Sequence, residues 1–215
     1  MPWQNSGDKM KATLLNVMGD DLTVVDAARV SFKKGHKEFT EAQNHKLIKY
    51  LADHGHYSPF GHCFASFHVK APIFVARQLQ KHAYLRMNEV SRRYVDDTPE
   101  FYVPEVWRGR AKDKKQGSSG EVNIDVTDWQ LYRDQLETYR DMLTEGVAPE
   151  MARMVLPQSM YSEWYWSGSL DAFANMCNLR CKPDTQEETR LIANQISEQM
   201  LEKFPVSWSE LTKWK

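Results

Sequence analysis

The stretch CFASFHVK (63–70) constrains the fold of this chain more than any other segment. Cys63, Ala65, Phe67 and Val69 fall on one side of an extended backbone, with Phe64, Ser66, His68 and Lys70 on the other. A strand buried on both faces, as in a parallel sheet, would read as a continuous apolar run instead. The segment therefore belongs in an antiparallel sheet with one packed face and one open face, and the packed face needs helices or a second sheet to cover it.

Helical periodicities elsewhere supply that cover. DLTVVDAARVSF (21–32) reads as a short helix after a strand, KATLLNVMGD (11–20), that ends in a Gly-Asp turn. NHKLIKYLADHG (44–55) sets Leu47, Ile48 and Leu51 on one helical face and stops at Gly55. TDWQLYRDQLETYRDMLTEG (127–146) is a helix with Trp129, Tyr132, Leu136, Tyr139 and Leu143 inward and Gly146 as its stop. PEMARMVLP (149–157) is a shorter helix between prolines, MYSEWYW (160–166) a strand, and SLDAFANMCNLR (169–180) a helix capped by Ser169. The last helix takes Asp184 as its N-cap, with Glu187 three residues on as a capping-box partner, and ends at Pro205. RGRAKDKKQGSSGE (108–121) is charged, Gly/Ser-rich and aperiodic, which predicts a mobile surface loop. Strands and helices mix without βαβ alternation. The expected class is α+β, one domain over 1–215 with a mixed or antiparallel sheet packed with helices.

Pro72 opens one more helix. From Ile73, the apolar residues Ala76, Leu79, Ala83, Met87, Val90 and Tyr94 recur at steps of three or four, predicting a helix that runs through KHAYLRMNEVSRRY (81–94). Its other face carries Lys81, His82, Arg86, Asn88, Glu89, Ser91, Arg92 and Arg93. The chain's formal net charge is only −1, so nothing global draws it to nucleic acid or membrane, and anion binding must come from local basic clusters such as this one. There is no signal-peptide core and no apolar run of about 18 residues. Cys63, Cys177 and Cys181 make neither a disulfide framework nor a CxxC pair. A cytoplasmic location is expected.

Neither GxGxxG nor GxxxxGK[ST] occurs, so phosphates must be met by side chains. Arg77, Lys81, Arg86, Arg92, Arg93, Arg153 and Arg180 are the candidates, because a guanidinium forms charge-assisted, often bidentate bonds to phosphate oxygens. Arg153 lies between Ala152 and MVLP, and Arg180 ends the run LDAFANMCNL. Both are expected beside buried surface, where a guanidinium requires an anionic partner. HGHYSPFGH (54–62) offers His54, His56 and His62 without HExxH spacing, so a polar turn outranks zinc; Ser58 and His56 lining a cofactor pocket is a third reading. Ser91 lacks a GxSxG elbow and no histidine follows His82, which excludes a triad in α/β-hydrolase order. Cys63 heads a strand and Cys177 sits in an apolar run. Cys181 follows Arg180, whose charge could lower a thiol pKa, but has no recognisable base. The residues point to anion and ring binding rather than covalent attack.

HGHYSPFGH, FHVKAPIFVARQ, KHAYLRMNEVSRRY, MARMVLP and NLR resemble, in order and spacing, the flavin-dependent thymidylate synthases. That family's signature is Arg-His-Arg, seven residues, then Ser; here Lys81, His82, Ala83 and Ser91 stand in those places. Lysine keeps the charge without the bidentate fork, and Ala83 offers nothing polar, so Arg86 or Arg92 is a candidate replacement. The resemblance implies an FAD-dependent methyltransferase that takes electrons from NADPH and moves a methylene from methylenetetrahydrofolate to carbon 5 of dUMP, giving dTMP. It also implies a homotetramer with FAD between subunits, and no metal. By the same resemblance, Gln78, Lys81, Glu89, Ser91, Arg92, Arg93, Arg153 and Arg180 contact dUMP, with Arg180 as the catalytic group near the uracil ring. His56, Ser58, Lys81, His82, Ala83, Glu89, Ser169 and Asn175 contact FAD. Arg153 is expected to reach the site from a different subunit than Glu89 and Arg93. A fixed guanidinium at the ring would stabilise the charge that makes uracil carbon 5 nucleophilic, in place of the Pro-Cys-Gln cysteine of classical synthases, a tripeptide this chain lacks. Hydroxymethylation of dUMP is the close alternative. An RNA-binding module is the alternative of another class, disfavoured by the near-neutral charge and the lack of an RNA-binding signature.

Overall fold

A computed structural model describes residues 10–112, 117–124 and 128–213. Its strands are β1 (Lys11–Met18), β2 (Phe64–Pro72), β3 (Leu85–Glu89), β4 (Arg108–Arg110), β5 (Ser118–Glu121) and β6 (Tyr161–Ser169). Four of them form one antiparallel sheet in the order β1-β2-β6-β3, and β4 and β5 pair as a separate hairpin. The helices are α1 (Asp21–Arg29), α2 (Glu41–Asp53), α3 (Ile73–Leu79), α4 (Asp128–Thr144), α5 (Pro149–Ala152), α6 (Leu170–Arg180), α7 (Glu187–Lys203) and α8 (Pro205–Leu211).

The alternation in β2 does what its pattern dictates. Cys63, Ala65, Phe67 and Val69 are buried, whereas Ser66, His68 and Lys70 are only half-buried. Register places Phe67 opposite Trp166 and Val69 opposite Trp164, so both indoles enter the same core. Phe173 of α6 closes on Phe67 and Trp166 edge-to-face, at 5.2 and 5.4 Å between ring centroids, a favoured aromatic geometry. On the far side α7 protects the edge of β1: Gln195 and Gln199 accept hydrogen bonds at 2.8 Å from the Ala12 and Leu14 amides and return donors to the Met10 and Ala12 carbonyls. Edge groups of a sheet otherwise pair with foreign strands. The result is the α+β class the sequence predicts.

Several boundaries differ from expectation. The helix opened by Pro72 stops at Leu79, and the chain turns through Tyr84, whose φ of 64° is left-handed, into β3. Of the predicted stripe beyond Leu79 only Met87 packs on the core, and it does so beside Leu85, which the stripe left out, as alternate residues of a strand opposite Trp166 and Gly168, while Ala83 is exposed. Val90 and Tyr94, further along the supposed stripe, are 50% and 78% exposed.

The 108–121 segment is a hairpin rather than a free loop, with residues 113–116 outside those described. Arg108 fastens it to α7 through Glu187 at 3.2 Å and through Glu188. That pairing also displaces the predicted cap: α7 has Gln186, not Asp184, at its N-cap position, and Glu187 and Glu188 serve the hairpin instead of a capping box. Ser169 stands at the N-cap of α6 without a side-chain bond, and the Leu170 amide is met by the Cys63 carbonyl at 3.0 Å. Pro205 ends α7 and opens α8. α2 begins at Glu41 under a Thr40–Gln43 capping box, earlier than its apolar pattern shows. In α4, Tyr139 is buried and Gly146 takes φ 83°, as predicted; Thr127 and the Trp129 side chain lie outside the described residues. Among the described residues no helix is long and apolar enough to cross a membrane.

Candidate active site

The reversal at Tyr84 is what builds the site. It sends β3 back along β6, and the Val90 amide bonds the Glu163 carbonyl at 2.9 Å, so the residues after β3 emerge beside α3. The start of α3 is held to the same region, because the Ile73 and Phe74 amides donate to the carbonyls of Met160 and Gln158. A cavity of about 520 Å³ opens between these segments. Arg77 and Gln80 reach it from α3 and its end, Glu89, Ser91, Arg92 and Arg93 from the end of β3, and Arg153 from the turn after α5, with Met154, Leu156 and Ser162 completing the wall.

Four guanidinium groups thus face one carboxylate, Glu89, in a chain of nearly neutral net charge. Such a field concentrates anions. The Ser91 hydroxyl accepts from the Arg93 Nε at 3.1 Å and from the Arg93 amide at 3.3 Å, which leaves its own hydrogen to donate. Arg92 is fixed by the Asp97 carboxylate at 2.6 Å. Of the two arginines considered as stand-ins for the missing signature residue, only Arg86 is therefore not committed to a described carboxylate. Arg153 donates to the Glu150 carbonyl at 3.2 Å and is exposed rather than beside buried surface; Ala152, its neighbour, takes the inward position of that turn. Arg93 and Arg153 line the same cavity within one chain, which corrects the expectation that they reach it from different subunits.

Among the described residues, Gln78, Lys81 and Arg180 do not line this cavity. Arg180 ends α6 half-buried, where a cation suits the helix C-terminus. Its Nε donates to His82 Nε2 at 3.0 Å and an Nη donates to the Gln78 carbonyl at 3.0 Å. An acceptor at Nε2 requires the neutral imidazole, with its proton on Nδ1. Burial, seconded by the Arg180 charge, pushes the His82 pKa down to about 4, in agreement with that geometry. No described carboxylate pairs with Arg180, contrary to expectation, so a half-buried guanidinium keeps donors to spare.

The residues expected at a flavin occupy three segments. His56 and Ser58 are exposed on the turn between α2 and β2; Lys81, His82 and Ala83 follow α3; Ser169 and Asn175 begin and line α6. The Phe60–His62 turn packs on α6, and His82 meets α6 through Arg180, so the histidine-bearing segments converge on one helix. Glu89 instead faces the arginine cavity. The side chains of Ser58, Lys81 and Asn175 are exposed and not engaged by described residues, as a donor set for a large polar cofactor should be. His54 bonds the Tyr50 carbonyl at 2.8 Å, which is the polar-turn reading, and no described group of three His, Cys, Asp or Glu side chains is arranged to hold a metal ion.

The thiols are unsuited to attack. Burial raises Cys63 to about 12 and lifts Cys177 well above the usual thiol range, and Cys181 is buried as well. Gln80, Met154, Leu156 and Ser162 were not anticipated at the cavity. A helix ending at Leu79 would have put Arg77 and Gln80, three residues apart, on one face.

Comparison with known proteins gives a consistent picture. The family model described as thymidylate synthase complementing protein matches residues 13–206. A flavin-dependent thymidylate synthase of Thermus thermophilus is 43% identical over 205 residues, covering 94% of this chain and 75% of its own length. Another from Kosmotoga olearia is 41% identical over 204 residues, covering 91% of this chain and 86% of its own. Among solved structures, the UMP/dUMP methylase PolB from Streptomyces cacaoi, bound with 5-Br dUMP, superposes with a TM-score of 0.80 at 30% identity, covering 94% of this chain and 93% of that one.

Proposed function

This chain belongs to the thymidylate synthase complementing family, the flavin-dependent thymidylate synthases, and from that premise we propose that it methylates dUMP to dTMP, with methylenetetrahydrofolate as carbon donor and NADPH as reductant. The observation that carries the proposal is the cavity of four arginines around Ser91 and Glu89, which suits a nucleotide monophosphate in charge and in size.

In this reading Arg77, Arg93 and Arg153 hold the phosphate, the Ser91 hydroxyl donates to it, and Glu89 accepts from a hydroxyl of the sugar. Ser91 is a binding group: it accepts from Arg93, and among the described residues no base is hydrogen-bonded to its hydroxyl. Arg180 stabilises the negative charge that develops on the uracil ring as N3 gives up its proton, a service that fixed charges perform without reorganisation. Within one chain Arg180 stands apart from the arginine cavity. We therefore place the Arg180 of a neighbouring copy at the ring, in a homotetramer whose sites are shared between subunits. FAD would be held by His56, Ser58, Lys81, His82, Ser169 and Asn175, and when bound it supplies the electrons that reduce the transferred carbon to a methyl group. His82 is kept neutral there by burial and by Arg180, and so offers a hydrogen-bonding ring rather than a competing charge.

The test is an incubation with dUMP, methylenetetrahydrofolate, NADPH and FAD, followed by omission of each in turn. Formation of dTMP in the complete mixture, and its loss on every omission, supports the reading. No dTMP from a folded, dUMP-binding protein, or dTMP formed equally by flavin-free protein without FAD, overturns it.

A further inference from the structure

After β3 the chain leaves β6 and comes straight back to it. The Val90 amide bonds the Glu163 carbonyl at 2.9 Å, and the Glu100 carbonyl accepts from the Tyr161 amide at 2.8 Å. These anchors lie two residues apart on one strand, so residues 91–99 form a closed surface loop whose ends are held together, an Ω-type excursion. Ser91 and Arg93, two of the groups that face the arginine cavity, are carried on it.

Main-chain bonding shapes only the first half of this loop. The Tyr94 and Val95 amides both donate to the Ser91 carbonyl, at 3.0 and 3.2 Å, and among the described residues no other main-chain pair lies within it. A side chain ties the second half. One Arg92 Nη donates to the Asp97 carboxylate at 2.6 Å and also to the Asp97 carbonyl, which joins the two halves across the loop. The Arg92 side chain is 12% exposed and lines both the arginine cavity and a smaller one of about 120 Å³. A charge-assisted bond with one end packed in this way is held more firmly than a freely exposed pair. Of the four arginines of the cavity, only Arg92 is ion-paired among the described residues. The charges of Arg77, Arg93 and Arg153 are thus left for a ligand, whereas that of Arg92 is already neutralised.

We propose that Asp97 is a positioning residue for nucleotide binding: by holding Arg92 across the loop, it fixes Ser91 and Arg93 in the orientation in which they meet the substrate phosphate. The inference rests on the reading of the cavity as the dUMP site. The test uses the full-length protein saturated with FAD, with dUMP affinity read by calorimetry, kcat by dTMP formation at saturating dUMP, and the order of the loop by amide hydrogen exchange without nucleotide. Asp97→Ala should weaken dUMP binding about three- to tenfold, the range for one charge-assisted hydrogen bond, with little change in kcat. Exchange should quicken over residues 91–97 and stay unchanged in β6. Asp97→Glu, which keeps a carboxylate, should restore most of the affinity. In an Arg92→Ala background, Asp97→Ala should cause no further loss, because the two residues act as one clamp. Should Asp97→Ala fail to fold, Asp97→Asn, which keeps the shape without the charge, should shift affinity in the same direction. If removing the Asp97 carboxylate leaves dUMP affinity unchanged or tightens it, Asp97 instead competes with the nucleotide for Arg92 or plays no part, and the proposal is overturned. It is equally overturned by a further loss in the Arg92→Ala background, or by unaltered exchange over 91–97. Unaltered protein that binds no dUMP would refute the reading of the cavity and the positioning role together, whereas equal dUMP binding by the unaltered protein and Asp97→Ala refutes the role alone.

Discussion

Mixing two inactive variants would show whether a site is assembled from more than one chain. Arg93 and Arg153 share a cavity in one chain, while Arg180 lies outside it, bonded to His82 and Gln78. If each site takes its cavity from one chain and its Arg180 from another, Arg93→Ala and Arg180→Ala damage different halves. Alone, the Arg180 variant should lose about two to three orders of magnitude in rate, the usual worth of one preorganised charge. It should still fold, because its two lost hydrogen bonds contribute roughly 1–3 kcal/mol together, against about 5–15 kcal/mol for a typical domain. When equal amounts of the two are unfolded, mixed and refolded, half the cavities and half the Arg180 positions are intact. A site with both then occurs by chance about one time in four, giving about a quarter of wild-type activity for random closed assembly. Native mass spectrometry confirms mixing, and dTMP formation is the assay. A matched control mixes Arg93→Ala with Arg153→Ala. Both lesions fall in the same half, so no recovery is expected. Recovery in that control, or none in the Arg93/Arg180 pair despite demonstrated mixed assemblies, would refute the reasoning.

Three further outcomes follow from the geometry. His82 should titrate near 4 by NMR rather than near its unfolded value of 6.5, and the value should rise in Arg180→Ala. Because the folded state holds fewer protons on this ring than the unfolded state, His82 contributes a loss of stability as pH falls from about 6.5 through 4; an imidazole titrating at an ordinary value would contradict the neutral acceptor. Ser91→Ala should weaken dUMP binding by about 1 kcal/mol, roughly fivefold, with kcat little changed, and a folded variant that binds dUMP but is wholly dead would reopen the question of a serine nucleophile. In Gly168→Ala the new Cβ would lie 3.0 Å from the Tyr84 carbonyl and 3.5 Å from the Leu85 Cα. It should push β3 off β6, costing about 1–3 kcal/mol in urea denaturation and loosening dUMP binding, whereas an unchanged midpoint would show that β3 is free to shift.

What the sequence disclosed and what it concealed divide along physical lines. The β2 alternation survives intact because one face of an antiparallel sheet really is buried, and Gly55 and Gly146 mark helix ends because both take positive φ. Basic residues at Arg92, Arg93 and Arg153 could be singled out because a neutral chain without a phosphate loop has few other ways to hold an anion. The turn at Tyr84 could not be foreseen, since left-handed φ in a tyrosine leaves no mark in sequence, and the apolar residues on either side of it continue at helical steps. Nor could the true start of α7 be read from Asp184 and Glu187, because the competing partner, Arg108, lies far away in sequence. That Arg93 and Arg153 meet within one chain is likewise a matter of packing, which no local pattern encodes.

The central claim, that this chain transfers a reduced carbon to uracil carbon 5, is tested most directly by following the carbon itself. Methylenetetrahydrofolate labelled with carbon-13 at the transferred methylene is incubated with dUMP, NADPH, FAD and the protein, and the nucleotide product is examined by NMR and mass spectrometry. The account predicts label in a methyl group on carbon 5, in dTMP. Label in a hydroxymethyl group at that carbon, or none in the nucleotide from folded protein that binds both dUMP and FAD, would contradict it.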